Sequence, residues 1–372
     1  MSAIVPVRVP KWGLAMTEGK LTAWHKTVGD KVAKGEDLAD IESSKIANVL
    51  EAPESGVLRR IVAHVDETLP VGALLGVIAD MSASDSDLDA YVAEMKDKFA
   101  AEAAEAEAPL PDKINVHGQT IQYLKLAPAD FEGGVPLVLI HGFGGDLNNW
   151  LFNQAELAKE RAVYAFDLPG HGGSSKAVAD PSLDGLTGVV AAAIRALGLS
   201  PVNVAGHSLG GALALNLALK YPELVNAVAT ICGAGYGSAV NRDYVNGYLA
   251  AARRKDLQPV AELLFTDKSL ITRDMLDDMI KMKRLDGVEE ALHAIAKAAL
   301  DPVALVALRD RLDTIKAPIL GLWGAKDEVI LLPEIIGLPL TAHILPDAGH
   351  MAHMEAAGEV NKLIEAFLAE KD

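Results

Sequence analysis

Between residues 202 and 219 the chain passes from an apolar strand to a helix through one tight turn. Val202-Asn203-Val204-Ala205 leads into Gly206-His207-Ser208-Leu209-Gly210-Gly211, and the helical run Ala212–Leu219 follows. A serine framed as G-x-S-x-G between a strand and a helix sits on a cramped turn, where side chains at 206 and 210 would collide with neighbouring backbone. The first N–H groups of the helix that follows favour negative charge near that serine. Similar apolar runs recur at 135–140, 162–166, 227–232, 318–323 and 342–345, with helical stretches between them. Apolar strands alternating with helices predict a parallel sheet covered on both faces.

Three further segments give the serine a context. His141-Gly142-Phe143-Gly144-Gly145 ends an earlier strand, where a backbone N–H can join the N–H after the serine in an oxyanion hole. Phe143 and Leu209 occupy those two places. Asp327 stands just past a late strand in Trp323-Gly324-Ala325-Lys326-Asp327, and His350 lies in the loop after the last strand, in Asp347-Ala348-Gly349-His350. Ser208, Asp327, His350 is the chain order in which such a turn finds its acid and its base.

On these motifs, residues 113–372 resemble the α/β-hydrolase fold. Asp167-Leu168-Pro169-Gly170-His171-Gly172 resembles a further, structural segment of that family, and 237–302 resembles the helical lid inserted in it, which excludes water and shapes the pockets. Glu328 and Asp347 are the rival acids and are expected to be solvated. His171, His343 and His353 are expected in loops or at the surface, and His207 is expected to pack beside the serine. Arg253-Arg254-Lys255 and Lys281, Lys283 and Arg284 form either a solvated helix face or a site for an anionic substrate. No metal site is expected.

The first 79 residues repeat themselves. With Gly19 set on Gly56, an offset of 37, Leu21 meets Leu58, Val28 meets Val65, Val32 meets Leu69, Gly35 meets Gly72, Leu38 meets Leu75 and Ile41 meets Ile78. Each half is short and strand-like, with turns at Val28-Gly29-Asp30 and Lys34-Gly35-Glu36, so an all-β unit of two small sheets packed face to face is expected. Lys45, in Glu42-Ser43-Ser44-Lys45-Ile46-Ala47, falls at the hairpin between the halves. A pseudo-twofold β unit with a lysine at that turn resembles the lipoyl/biotinyl carrier domain, in which a glycine lies eleven residues beyond the modified lysine, as Gly56 does here. Biotin carriers flank the lysine with methionine; Ser44 and Ile46 favour lipoyl. The resemblance implies covalent lipoate on Lys45 (N6-lipoyllysine), a long arm that carries an acyl thioester between active sites.

Residues 80–112 hold 2 basic and 10 acidic residues, against 9 and 10 in residues 1–79, and read as an acidic linker. Within it Leu88, Tyr91, Val92, Met95 and Phe99 recur at helical spacing and predict an amphipathic helix that docks on its own chain or on a partner subunit. A net charge of −17 argues against nucleic acid as the main partner. The single cysteine, Cys232, cannot form an internal bridge, and no apolar run is long enough to span a bilayer, so no membrane association and a cytoplasmic location are expected.

An enzyme tethered to a lipoyl arm is fed an acyl thioester. Hydrolysis would waste it, so the expected acceptor is another thiol, coenzyme A. A lipoyl domain joined to an α/β-hydrolase domain resembles the acyltransferase components of acetoin dehydrogenase complexes, the dihydrolipoyllysine-residue acetyltransferases. That resemblance implies acetyl transfer from dihydrolipoyl-Lys45 to coenzyme A. It also implies a thiamine-diphosphate-dependent acetoin-cleaving partner that loads the arm and a dihydrolipoyl dehydrogenase that reoxidises it. A homo-oligomer is expected. Two alternatives stay open: a hydrolase of an ester, thioester or carbon–carbon bond that carries a lipoyl domain, and a non-enzymatic swinging-arm scaffold.

Overall fold

The computed structural model describes residues 4–10, 18–42, 47–106, 109–129, 131, 133–237 and 240–371. The chain divides into two compact units, Met1–Ala108 and Pro109–Asp372.

In the first unit the 37-residue offset becomes a twofold arrangement of strands. One four-stranded antiparallel sheet runs in the order Ile4–Arg8, Leu74–Ala79, Gly56–Ile61, Lys31–Val32; the other runs Ala47–Glu51, Asp37–Glu42, Glu18–Trp24, Thr68–Pro70. Each sheet takes two strands from before Lys45 and two from after it, so the halves interlock instead of forming one sheet each. Equivalent pairs make the symmetry explicit: Leu21 faces Ile41 as Leu58 faces Ile78, and Gly19 faces Leu69 as Val32 faces Gly56. Gly35 and Gly72, matched by the offset, turn the chain at φ 80° and 88°, a conformation that favours glycine. Leu21, Leu38, Ile41, Leu58, Leu75 and Ile78 form one shared core, none more than 1% exposed. Burying each of them stabilises the unit by roughly 1.5–3 kcal/mol. Val28 and Val65 match as well, yet both are exposed; the repeat there preserves a turn and not the core.

The helix Asp85–Ala106 lies on this unit. Leu88 and Met95 are buried against Leu74, Val77 and Ala79, with Tyr91 and Val92 packed beside them, and Phe99 reaches the carrier core. Arg60 Nε donates to Asp89 and its Nη2 to Asp85, both at 2.9 Å. The apolar stripe of the acidic stretch is thus taken up by its own unit. The strands Asp37–Glu42 and Ala47–Glu51 pair antiparallel up to Glu42 opposite Ala47. Lys45 lies outside the described residues.

The second unit is built on one eight-stranded sheet, ordered Thr341–Leu345, Ile319–Gly324, Val225–Ile231, Val202–His207, Leu137–Ile140, Val163–Phe166, Gln119–Leu126, Asp112–Val116. The first six are parallel and are the six apolar runs of the sequence; the last two join antiparallel. The apolar runs did not point to that antiparallel hairpin, because its strands are half exposed and alternate polar with apolar residues. Its signal is the two-residue turn His117-Gly118, with φ 51° and 76°, which closes a tight hairpin. The two faces of the sheet bury separate cores, one around Ile194, Leu213 and Leu217, the other around Trp150, Ile364 and Leu368. Between Val225–Ile231 and Ile319–Gly324 the chain inserts the helices Arg242–Ala250, Arg254–Ala261, Arg273–Lys283 and Val288–Ala298. Among the described residues no single helix is long and apolar enough to cross a membrane.

Candidate active site

Ser208 links the strand Val202–His207 to the helix Leu209–Lys220 at φ 56°, ψ −117°. A non-glycine residue holds such angles only where its surroundings impose them, and the glycines around it show how. A Cβ on Gly206 would run into the Gly210 carbonyl, and one on Gly210 into the Ile140 carbonyl. The helix therefore starts against the end of Leu137–Ile140. Leu209 is its first residue, so its N–H has no partner within the helix. A Cβ on Gly142 would stand 2.9 Å from Ser208 Cβ, which puts the segment 141–143 directly against the serine.

Asp327 and His350 come together as expected. His350 Nδ1 lies 2.9 Å from Asp327 Oδ2, and both are buried. Asp327 Oδ1 accepts from the N–H groups of Val329 and Ile330 at 2.8 and 2.9 Å, so both carboxylate oxygens are engaged. The rival acids Glu328 and Asp347 are exposed, and Asp347 pairs with Lys326. Ser208 and His350 line the same cavity; among the described residues Ser208 Oγ closes no hydrogen bond with the imidazole. Buried Cys232 sits behind the pair, where burial raises its thiol pKa well above the ordinary range. Cys232, Asp327 and His350 place their donor atoms within 4.8 Å of one another, but a protonated thiol is a poor metal ligand.

Three histidines depart from expectation or refine it. His171 lies in a loop, as expected, but is buried there. Its Nδ1 lies 3.0 Å from the Pro169 carbonyl, to which it donates, and its Nε2 accepts from Gly144 N–H at 3.1 Å. That second bond needs a neutral ring, and burial pushes the His171 pKa down to about 3. His353 is also buried, because the short helix Ala352–Glu355 starts straight after His350 and turns residue 353 inward. Its ring stacks between Trp150 and His207, at 4.9 and 4.4 Å. His207 packs as expected, with its ring 4.7 Å from that of His350 and its Nε2 2.9 Å from the His350 carbonyl. His343 is exposed.

Sequence reasoning missed Tyr248. Its hydroxyl donates to the Gly144 carbonyl at 3.1 Å. The Gly144 peptide units are thus held from both sides, N–H by His171 and C=O by Tyr248, and this fixes the loop that carries the Phe143 N–H. Most of the lid cations find protein partners, several of them at the surface. Arg253 and Arg254 pair with Asp256 and Asp277, Lys281 pairs with Asp278, and Arg284 binds the Ala252 carbonyl. Lys283 caps the carbonyls of Tyr248, Leu249 and Ala251, with its ammonium 4.9 Å from the Tyr248 ring centre. Lys255 is exposed, and Arg253 and Lys281 stay exposed within their pairs, which fits the solvated helix face.

Ser208 and His350 open into a cavity of about 570 Å³ to which the lid contributes apolar side chains such as Tyr244, Tyr248, Leu264 and Val288. A serine on a strained turn and a buried imidazole–carboxylate pair beside one cavity are parts that acyl transfer through serine requires.

Comparison with known proteins agrees with this architecture. The alpha/beta hydrolase fold family matches residues 135–357, and a family described as biotin-requiring enzyme matches residues 5–78. The dihydrolipoyllysine-residue acetyltransferase component of the acetoin cleaving system of Pseudomonas putida is 47% identical, over 99% of each chain. The chain belongs to this acetyltransferase family. The corresponding component from Cupriavidus necator is 41% identical over 98% of this chain and 97% of its own. A meta-cleavage product hydrolase from Pseudomonas fluorescens, 22% identical, superposes with a TM-score of 0.64 over 70% of this chain and 98% of its own, which shows the hydrolase fold. The chain thus combines a carrier unit with a hydrolase-fold unit, the combination that the 37-residue repeat and the serine turn indicate separately.

Proposed function

We propose that this chain transfers an acetyl group from the dihydrolipoyl arm on Lys45 to coenzyme A by way of an acyl-Ser208. It works as a homo-oligomer in the cytoplasm, in a complex with a thiamine-diphosphate-dependent acetoin-cleaving component and a dihydrolipoyl dehydrogenase. The observation that carries the reading is the buried His350–Asp327 pair, 2.9 Å apart, opening into the same cavity as Ser208. The antiparallel strands on either side of residues 43–46 fit a group attached at Lys45. When bound there, the lipoyl group supplies the thiol that carries acetyl as a thioester.

Ser208 Oγ attacks the thioester carbonyl while His350 Nε2 takes its proton. Asp327 Oδ2 accepts the hydrogen bond from Nδ1–H, keeps Nε2 free as a base and stabilises the imidazolium. The N–H groups of Phe143 and Leu209 hold the oxyanion; losing one such donor typically costs ~10²–10³-fold in rate. His350 returns the proton to the departing sulfur. The coenzyme A thiol then gives its proton to the same nitrogen and attacks the acyl-serine, and His350 passes that proton to Ser208 Oγ as the ester bond breaks. The apolar lid disfavours water as the competing acceptor.

The test offers S-acetyl-dihydrolipoamide with and without coenzyme A. Acetyl-CoA is expected, with little free acetate; acetate released at the same rate either way would make the chain a hydrolase. Protein from lipoate-fed cells should carry one lipoyl adduct by intact mass, lost in Lys45→Arg. An unmodified wild-type mass removes the carrier from the reaction. Tyr248→Phe deletes the hydroxyl that holds the Gly144 carbonyl. It is expected to lower kcat by up to about tenfold, the worth of one hydrogen bond, with KM changed less than twofold. An unchanged kcat would mean that the oxyanion loop holds its place without Tyr248.

A further inference from the structure

Five of the nine methionines in the chain line the cavity above Ser208: Met275, Met279, Met282, Met351 and Met354. The first three fall at i, i+4 and i+7 of the helix Arg273–Lys283 and so share one face. Met351 follows directly on His350, and Met354 lies in the short helix after it. Lid and catalytic loop thus face each other across thioethers. An acetyl group fills only a small part of about 570 Å³; a cavity of ~300–1,000 Å³ buries a whole drug-sized ligand. What the wall meets is therefore the carrier and not the acyl group. Methionine is unbranched and flexible, and it re-packs around occupants of different shape where branched side chains would fit one.

We propose that the methionine wall is a shared seat that takes two thiol carriers in turn: first the octanoyl arm of an acyl-dihydrolipoyl group, then, after that thiol has left, the pantetheine arm of coenzyme A. The inference rests on the acyl-Ser208 reading above. In the first half-reaction the carbonyl carbon breaks its bond to the lipoyl sulfur and forms one to Ser208 Oγ, the serine proton passing through His350 to the sulfur. In the second, the carbon breaks from Oγ and joins the coenzyme A sulfur, whose proton returns through His350 to Oγ. No oxidant or reductant takes part. A seat for one arm at a time makes the kinetics ping-pong, with dihydrolipoamide competing against coenzyme A.

The experiment uses the full chain in a Lys45→Arg background, so that its own arm does not compete. Two donors are compared with coenzyme A as acceptor, S-acetyl-dihydrolipoamide and the short S-acetyl-2-mercaptoethanol. Each methylene buried on the wall is worth roughly fourfold. The triple variant M275A/M279A/M282A is expected to lose about tenfold or more in kcat/KM with the long donor and less than threefold with the short one. Equal losses with both donors overturn the seat. A second measurement needs no variant: peroxide oxidation of the methionines to sulfoxides, read by mass spectrometry. Lipoamide and desulfo-coenzyme A, each alone, should protect Met275, Met279 and Met282 while leaving exposed Met81 unprotected. Protection in a chain that transfers acetyl from neither donor would keep the seat and sink the proposed reaction. Transfer without protection would do the reverse.

Discussion

Ser208→Ala is expected to slow acetyl transfer to coenzyme A by about 10⁴-fold or more in kcat, while Lys45 is lipoylated as before. The substitution is clean in structural terms. Among the described residues the serine hydroxyl has no hydrogen-bond partner to abandon, so no buried donor or acceptor is orphaned. The backbone at φ 56° is as strained for alanine as for serine, so the turn neither gains nor loses by the change. The melting temperature should therefore move by no more than a few degrees, and a lost rate is a lost nucleophile. Some catalysis over water should survive, because the Phe143 and Leu209 N–H groups and the cavity remain. A fall of less than tenfold would have a specific meaning. Two thiols held in one cavity need only proximity and a base for direct exchange, and His350 would then serve that exchange without an acyl-serine.

How far this site was legible in the sequence depends on what kind of constraint each residue answers to. The strained turn at Ser208 and the pairing of Asp327 with His350 were readable because a cramped turn demands glycines at fixed spacing and because a carboxylate and an imidazole follow it at strand ends in a set order. The Phe143 and Leu209 positions follow from the same backbone logic. Tyr248, His171 and His353 were not readable, since each acts through a partner far away in the chain. Tyr248 reaches Gly144 across 104 residues, and His171 reaches it across 27. A histidine also looks polar in a sequence, whereas in the fold burial keeps both rings neutral, with pKa values near 3. The carrier unit shows the same limit differently. An offset of 37 says which residues are equivalent; three of its pairs form the core, while Val28 and Val65 are exposed. It does not say which strands are neighbours, and only the pairing of Val32 with Gly56 and of Gly19 with Leu69 reveals that the halves exchange strands.

Asp327→Asn should be nearly as damaging as loss of the serine, at about 10⁴-fold in kcat, although it changes one atom and hardly any volume. The reason lies in the two oxygens. Oδ1 accepts from the N–H groups of Val329 and Ile330, and Oδ2 accepts from His350 Nδ1–H. An amide has only one oxygen. Turned so that its NH₂ meets Val329 and Ile330, it would set donors against two buried N–H groups, at about 1–3 kcal/mol for each left unpaired. The amide therefore keeps its oxygen there and points its NH₂ at His350 Nδ1. That nitrogen must then accept, which moves the ring proton to Nε2, the position that has to be empty to receive the proton of Ser208. The imidazole stays in place in the wrong tautomer. Raising the pH does not correct a tautomer, so the defect should persist across the whole alkaline range, with the fold intact and KM for S-acetyl-dihydrolipoamide little changed. Recovery of rate at high pH, or a loss of less than about tenfold, would show that Asp327 does not set the proton position on His350, and the acid of the site would have to be sought elsewhere.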